Sequence, residues 1–166
     1  MFKIARSLYA LAYCGIYKYQ DWQKWADKLI LDNQELDLWI YDVSIAYDFN
    51  ALSKAIGERM EQENWSEYPS YTITELILGG YYYMYKNNSI TLYKLIEWCG
   101  KVSDGGDAPK DCEYFYELMN EIDKQPAVEK SYELQKELDH YLEPLRQEIM
   151  TRKNWIESCS YKDIII

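Results

Sequence analysis

Apolar residues recur at spacings of three and four along most of the chain, which is the period of one face of an α-helix. No alternation of apolar and polar residues persists beyond four or five positions, so strands are not indicated. The pattern therefore predicts an all-α fold. The first predicted helix carries one apolar stripe, made of Phe2, Ala5, Tyr9, Ala12, Tyr13 and Ile16.

Short polar residues with side-chain oxygens mark where the next helices begin, because such residues cap the free N–H groups of a first turn. Asp21 is predicted to cap the second helix, and Asn50 the fourth. The third helix is predicted to run from about Glu35, with Tyr47 among its inward-facing residues.

The segment TITELILGGYYYMYK begins with a capping box, in which Thr72 and Glu75 satisfy each other's backbone N–H groups. The pair Gly79-Gly80 in its middle costs helix propensity. We therefore expect another helix to approach closely at this point. Ser89 is predicted to cap the helix that follows.

The clearest break lies in the sequence SDGGDAPK at residues 103–110. Gly105 and Gly106 favour a helix C-terminus and a turn. Asp107, followed two residues later by Pro109, predicts the start of another helix.

A weak internal sequence similarity indicates how the helices are organised. Tyr17-Lys18, a polar turn and a Trp-bearing helix are followed later by Tyr85-Lys86, a polar turn and the helix that bears Trp98. This similarity favours a multi-helix bundle of stacked helical hairpins. The length predicts a single domain over residues 1–166.

Two prolines set the C-terminal segment apart. Pro126 is predicted to end a helix, and Pro144 to kink or divide the long helical segment after it. Residues 127–166 are therefore expected to form a looser helical part of the domain.

The charge balance limits the partners that the chain can bind. There are 28 acidic and 18 basic residues, a net charge of −10. Such a surface repels nucleic acid and anionic lipid, and it attracts basic proteins. The plainer alternative is that the charge serves solubility. The apolar run in MFKIARSLYALAYCGIY is too short to span a membrane, so it is predicted to be a buried amphipathic helix.

Enzymatic motifs are not evident. The chain has no phosphate-binding glycine loop and a single histidine, His140, so we expect no catalytic residues, no cofactor and no metal site. Cys14, Cys99, Cys112 and Cys159 are scattered and form no CxxC pair. They predict reduced, mostly buried cysteines of a cytoplasmic protein.

Two acidic segments with aromatic residues are the candidate surface for a protein partner. An aromatic ring supplies contact area and a carboxylate supplies charge complementarity to Lys or Arg. The tyrosines could equally line the edge of the core. The candidate residues are Glu61, Glu63, Trp65, Glu67 and Tyr68 in the first segment, and Asp104, Asp107, Asp111, Glu113 and Glu117 in the second.

The Trp-rich segment DWQKWADKLILDNQELDLWIYDVSIA and the later segment ITELILGGYYYMYKNNSITLYKLIEWCGKVSDGGDAPKDCEYFYELMNEID together resemble small acidic helical immunity proteins of bacterial toxin systems. The resemblance spans residues 17 to 123, and the chain after Pro126 departs from it. It implies that the protein binds and neutralises a cognate toxin, often a basic nuclease whose substrate charge an acidic inhibitor imitates. It carries over no catalytic residues.

Two other functions stay open on the sequence. A helical adaptor or scaffold in a larger assembly would use the same hairpins to build a groove. A carboxylate-based metalloenzyme in a helical bundle would need Glu-x-x-His motifs, and Glu137 with His140 supplies half of such a set.

Overall fold

The protein is an all-α multi-helix bundle, as the apolar periodicity predicts. A computed structural model describes residues 4–64 and 71–164, and within these residues there are eight α-helices and no strand. The chain divides into two compact units, one formed by Met1–Ser70 with Thr151–Ile166 and the other by Tyr71–Met150. The boundaries of these two units differ from residue 127. The prediction of a single domain with a looser segment from residue 127 stays a prediction.

The first unit contains four complete helices and the end of a fifth. They are α1 (Ile4–Tyr13), α2 (Tyr19–Asp32), α3 (Leu38–Ile45) and α4 (Phe49–Asn64), with the last part of α8 (Tyr132–Ser158). Helix α1 packs on α4, and α3 packs on both α2 and α4. The helices meet through fully buried aliphatic side chains such as Leu8, Leu29, Ile40, Leu52 and Ile56. Burial of each such side chain is worth about 1.5–3 kcal/mol.

The second unit is built from α5 (Ile73–Lys86), α6 (Leu92–Ser103), α7 (Cys112–Lys124) and the first part of α8. Helix α6 packs on both of its neighbours in sequence, α5 and α7. A short 3-10 helix, Pro126–Lys130, follows α7, so the prediction that Pro126 ends the helix is confirmed. Pro144 lies inside α8, which is not divided there.

The glycine pair of α5 marks a close helix contact, as predicted. A Cβ atom on Gly79 would overlap the backbone carbonyl group of Leu145 in α8. Only a residue without a side chain lets the backbones of α5 and α8 approach this closely. The capping box of the same helix is also confirmed, since Thr72 Oγ1 accepts from the Glu75 N–H at 3.1 Å and Glu75 accepts from the Thr72 N–H at 2.7 Å.

Four predicted helix starts are wrong by a few residues, and in three of them another residue provides the cap. Helix α2 begins after Lys18. The Lys18 N–H donates to the side chain of Asp21, which lies in the first turn of the helix. Asp48 rather than Asn50 accepts from the first turn of α4. Thr91 rather than Ser89 caps α6, and Asp111 rather than Asp107 caps α7.

Helix α3 also differs from its prediction. It begins at Leu38 and not near Glu35, and Tyr47 lies beyond its end. Tyr47 is 73% exposed, so the prediction that it faces inward is wrong. The helix ends at Ile45, which breaks the spacing that would have turned Tyr47 toward the core.

Candidate partner-binding surface

Glu63 does not lie on an exposed surface, so that part of the predicted contact set is wrong. Its side chain is 1% exposed and comes from the end of α4. Oε1 accepts from the Ala5 N–H at 2.9 Å, and Oε2 accepts from the Arg6 N–H at 3.1 Å. These are two of the N–H groups that the first turn of α1 cannot pair within the helix. Glu63 therefore caps α1 from another helix.

Electrostatics agree with a structural role for this carboxylate. Burial raises the pKa of Glu63, while the two backbone N–H donors and the guanidinium groups of Arg59 and Arg6 act in the opposite direction. Arg59 lies one turn earlier on α4, with its Nε 3.8 Å from Glu63 Oε1. A group enclosed by its own fold in this way is not available to a partner protein.

The remaining members of the first predicted segment divide into two cases. Glu61 is exposed on α4. Trp65, Glu67 and Tyr68 lie outside the described residues, so their placement stays a prediction.

The second predicted segment forms a definite structure in the unit of α5 to α8. The chain leaves α6 through Gly105, whose φ of +72° favours a residue without a side chain. A Cβ on Gly106 would lie 2.8 Å from Thr74 Oγ1 and from the Val102 carbonyl oxygen. Thr72 donates its hydroxyl to the Asp107 carbonyl oxygen at 2.8 Å. The turn is therefore held against the start of α5.

Helix α7 presents its acidic residues outward because its apolar residues are committed to the core. Phe115, Leu118 and Ile122 are buried, which sets the rotation of the helix. Glu113 and Glu117, four residues apart, then share the exposed face. Asp111 accepts from the Tyr114 N–H at 3.3 Å and so combines the cap with a charge that favours the helix N-terminus.

The acidic positions of α7 extend beyond the predicted residues. Glu121 continues the four-residue spacing of Glu113 and Glu117, and the helical period alone could have identified it. Asp123 is also exposed, but it lies about 160° around the helix from Glu121 and accepts from the Tyr93 hydroxyl of α6 at 3.5 Å. We define the α7 carboxylate surface as the seven exposed acidic residues of positions 104–123, which are Asp104, Asp107, Asp111, Glu113, Glu117, Glu121 and Asp123.

One cation lies within the same stretch of sequence, and it is engaged elsewhere. Lys110 Nζ lies 3.0 Å from Glu137 Oε1 of α8 and 3.4 Å from the centre of the Tyr114 ring. Tyr114 donates its hydroxyl to the same Glu137 oxygen at 2.8 Å. Together these contacts lower the pKa of Glu137, chiefly through the hydrogen bond from Lys110. Lys110 is thus directed to α8 and not to the acids of the surface.

None of the seven acids of the α7 carboxylate surface forms a salt bridge with a cation in residues 4–64 or 71–164. The neighbouring helix shows the contrast. Glu97 of α6 receives Lys101 at 2.6 Å and Lys94 at 2.8 Å, and these hydrogen bonds lower its pKa to about 2. Helix α6 neutralises its own acid, whereas the surface on α7 keeps its negative charge.

An aromatic ring and a thiol stand among these acids. Tyr116 is 38% exposed, and it rests on α6 at Gly100, where a Cβ would come within 2.9 Å of its ring. Cys112 Sγ lies 3.9 Å from Asp104 Oδ1. Desolvation raises the pKa of Cys112, and the charges of Asp104, Asp111 and Glu113 raise it further. The thiol is consequently a poor nucleophile in this setting.

The other three cysteines are buried and free, as predicted. Burial raises the pKa of Cys14 to about 12, and burial likewise raises the pKa of Cys99. They act as small core side chains. In the part of the chain that the structure describes, no three His, Cys, Asp or Glu side chains come together as a metal site. His140 is exposed on α8, beside a shallow depression lined by Lys86, Asp139 and Glu143.

None of the described helices combines the length and apolar character that crossing a bilayer requires. Comparison with known proteins finds no matching family model, no similar curated protein and no matching solved structure. Only the chemistry of this chain therefore bears on its function.

Proposed function

We propose that the protein binds and neutralises a basic protein, as an immunity protein does with its cognate toxin domain. The observation that supports this proposal is the α7 carboxylate surface, where seven exposed acids carry no salt bridge among the described residues. Unpaired charge of one sign attracts a partner of the opposite sign and raises its rate of association, by roughly 10- to 1,000-fold in strongly steered pairs.

The arrangement also supports specificity. The acids stand on a capped helix and on a turn that Thr72 and Gly106 hold in place, so their relative positions are set before a partner arrives. Preorganisation of this kind reduces the entropy lost on binding. Tyr116, partly exposed between Glu113 and Glu117, offers apolar contact area within the charged face. A toxin that acts on nucleic acid would present a cationic face, whose charge is opposite to that of these acids.

The experiment begins with the genes beside the one that encodes this chain. The C-terminal domain of a neighbouring secreted protein is produced, and its binding is measured by surface plasmon resonance at several salt concentrations. The test variant is D111N/E113Q/E117Q, which keeps the helix cap because Asn caps as well as Asp. The control is D27N/E58Q/E133Q, which removes the same charge from three other exposed acids.

We expect the test variant to associate at least tenfold more slowly at low salt and to show a weaker salt dependence than the control. We also expect co-expression of the chain to protect cells from the toxin domain. Equal association rates for the two variants would contradict the role of the surface. A neighbourhood with no basic, toxic domain would contradict the proposed class and would favour the adaptor alternative, for which a stable assembly in native lysate is the expected sign.

A further inference from the structure

Helix α3 carries apolar side chains on both of its faces. Ile40 and Val43 are fully buried against the rest of their unit. On the opposite side Leu38 is 81% exposed, Tyr41 40% and Ile45 73%. An amphipathic helix at a surface normally carries polar residues on its outer face. The outer face of α3 therefore contributes apolar area that folding does not use.

The three exposed residues form one continuous stripe. Leu38, Tyr41 and Ile45 are separated by three and four positions, so they lie above one another on the same side of the helix. Together the three residues span about two helical turns. Leu31 before the helix and Tyr47 after it are also exposed, by 85% and 73%. Single exposed apolar residues are common, but an ordered stripe of them marks an interaction site.

The charged residues of α3 and of the chain directly before and after it in sequence are all acidic. Residues 29–53 contain five acids and no Lys or Arg. Asp42 lies roughly 40° around the helix from Leu38, on the same outer face. None of the five forms a salt bridge with a described cation, and all are exposed. They are Asp32, Glu35, Asp37, Asp42 and Asp48.

These charges decide between the possible occupants. A second copy of the chain, docked through the same face, would bring Asp37 and Asp42 against the same two acids, because a two-fold interface pairs each patch with itself. Like charges brought together in this way oppose association. A segment with an apolar stripe bordered by Lys or Arg would instead cover the apolar residues and pair with the acids. A straight stripe two turns long matches the ridge of a second helix.

We propose that the outer face of α3 docks an amphipathic, basic helix of a protein partner. The proposal is independent of the α7 carboxylate surface, which lies in the other unit. The face needs no conformational change to accept such a helix, since the apolar side chains are already exposed and α3 is held by its buried face. The partner helix would place two or three apolar side chains over Leu38, Tyr41 and Ile45, with its cations toward Asp37 and Asp42.

The test uses synthetic peptides of defined pattern. The probe is a fluorescently labelled 14-residue peptide of Leu and Lys with Leu at helical spacing, used below its own self-association concentration. One control peptide has the same composition in strict alternation, which removes the helical stripe. A second control keeps the Leu positions and replaces Lys with Glu. Binding is measured by fluorescence anisotropy with the full chain.

Matched variants identify the face that binds. L38S/I45S removes the apolar stripe, and Y19S/Y132S removes two exposed aromatic residues elsewhere. D37N/D42N removes two charges at the stripe, and D27N/E58Q removes two charges elsewhere. All four variants replace exposed side chains, so circular dichroism and thermal unfolding should match those of the unchanged protein.

We expect the helical Leu/Lys peptide to bind, L38S/I45S to weaken it at least tenfold, and Y19S/Y132S to change it less than twofold. D37N/D42N should weaken binding more than D27N/E58Q, and the Leu/Glu peptide should not bind. The proposal is overturned by failure of the unchanged protein to bind, by equal loss in the two serine variants, or by equal binding of the alternating peptide. Dimerisation of the unchanged protein in sedimentation equilibrium, abolished by L38S/I45S, would assign the face to a second copy instead.

Discussion

Replacement of Glu63 tests a specific tertiary contact, in which a side chain of α4 caps the start of α1. Glu63→Ala removes both acceptors that cap α1, and Glu63→Gln keeps one of them. Glu61→Gln, two residues earlier on α4, is the control because Glu61 is exposed. The three variants separate the loss of a buried carboxylate from the loss of a negative charge on the same helix.

The contacts set the size of the expected effect. In Glu63→Ala the N–H groups of Ala5 and Arg6, at 2.9 and 3.1 Å from the carboxylate, lose their acceptor. Each buried donor left without an acceptor costs about 1–3 kcal/mol. Arg59, itself buried, also loses its neighbouring charge. Removal of one partner from such a buried group costs about 3–5 kcal/mol in total.

Glu63→Gln should cost less, about 1–3 kcal/mol, because the amide oxygen replaces one acceptor while the amide NH₂ faces the second N–H group. Glu61→Gln should stay within about 0.5 kcal/mol of the unchanged protein. The free energy of unfolding is measured in urea, followed by tryptophan fluorescence and far-UV circular dichroism. If Glu63→Ala unfolds within 0.5 kcal/mol of the Glu61→Gln control, the capping role of Glu63 is refuted.

The pH dependence gives an independent check on the same residue. Burial raises the pKa of Glu63 above its ordinary value of 4.5. The stabilisation from the protonated group is therefore complete below pH 4.5 and is lost as the pH rises through the raised pKa. Glu63→Gln cannot titrate. The free energy of unfolding of the unchanged protein should thus fall relative to that of Glu63→Gln as the pH rises from 4.5, and a relative increase would contradict the assigned direction.

Three further predictions concern the other unit and the capped helices. Gly79→Ala should destabilise the protein by about 1–3 kcal/mol, since its Cβ would overlap the Leu145 carbonyl group. Gly57→Ala, with open space around it, should instead stabilise the protein by about 1 kcal/mol. Both are measured by urea unfolding, and a shift of both variants in the same direction would contradict the close contact at Gly79. Thr72→Ala should cost about 1 kcal/mol by urea unfolding through loss of the α5 cap, and Thr72→Ser should recover most of it; no recovery would assign the loss to other contacts of Thr72. Lys110 lowers the pKa of Glu137, so the pair stabilises the protein above the ordinary carboxyl pKa and this contribution disappears as the pH falls. The difference in free energy of unfolding between the unchanged protein and Glu137→Gln should therefore decrease to near zero toward pH 3. A difference that does not change with pH would show that the charge contributes nothing.

Local signals in the sequence predicted the class of structure well because helices and their caps depend on neighbouring residues. The period of apolar residues is enough to indicate an all-α fold. The box of Thr72 and Glu75 involves atoms three residues apart, and the break at Gly105 requires only a positive φ. Several caps were misplaced for a related reason. Asp48 and Asn50, Ser89 and Thr91, or Asp107 and Asp111 offer competing oxygens within a few residues, and local propensity does not choose between them.

The candidate surface was predictable in part. Helical spacing places Glu113 and Glu117 on one face once Phe115 and Leu118 are assigned to the core. The spacing does not show whether these acids are neutralised by cations from elsewhere in the chain. That depends on Lys110, which contacts Glu137, 27 residues further along.

The sequence by itself thus determined the helices, most of their inward faces and the excess of negative charge, since these follow from the composition and from contacts between near neighbours. Only the tertiary structure decided that Glu63 is buried against the start of α1, 58 residues away from Ala5. It also decided that Leu38 and Ile45 of an all-round apolar helix remain exposed. Both outcomes depend on which helices pack together, and that choice is made by distant contacts that no local pattern encodes.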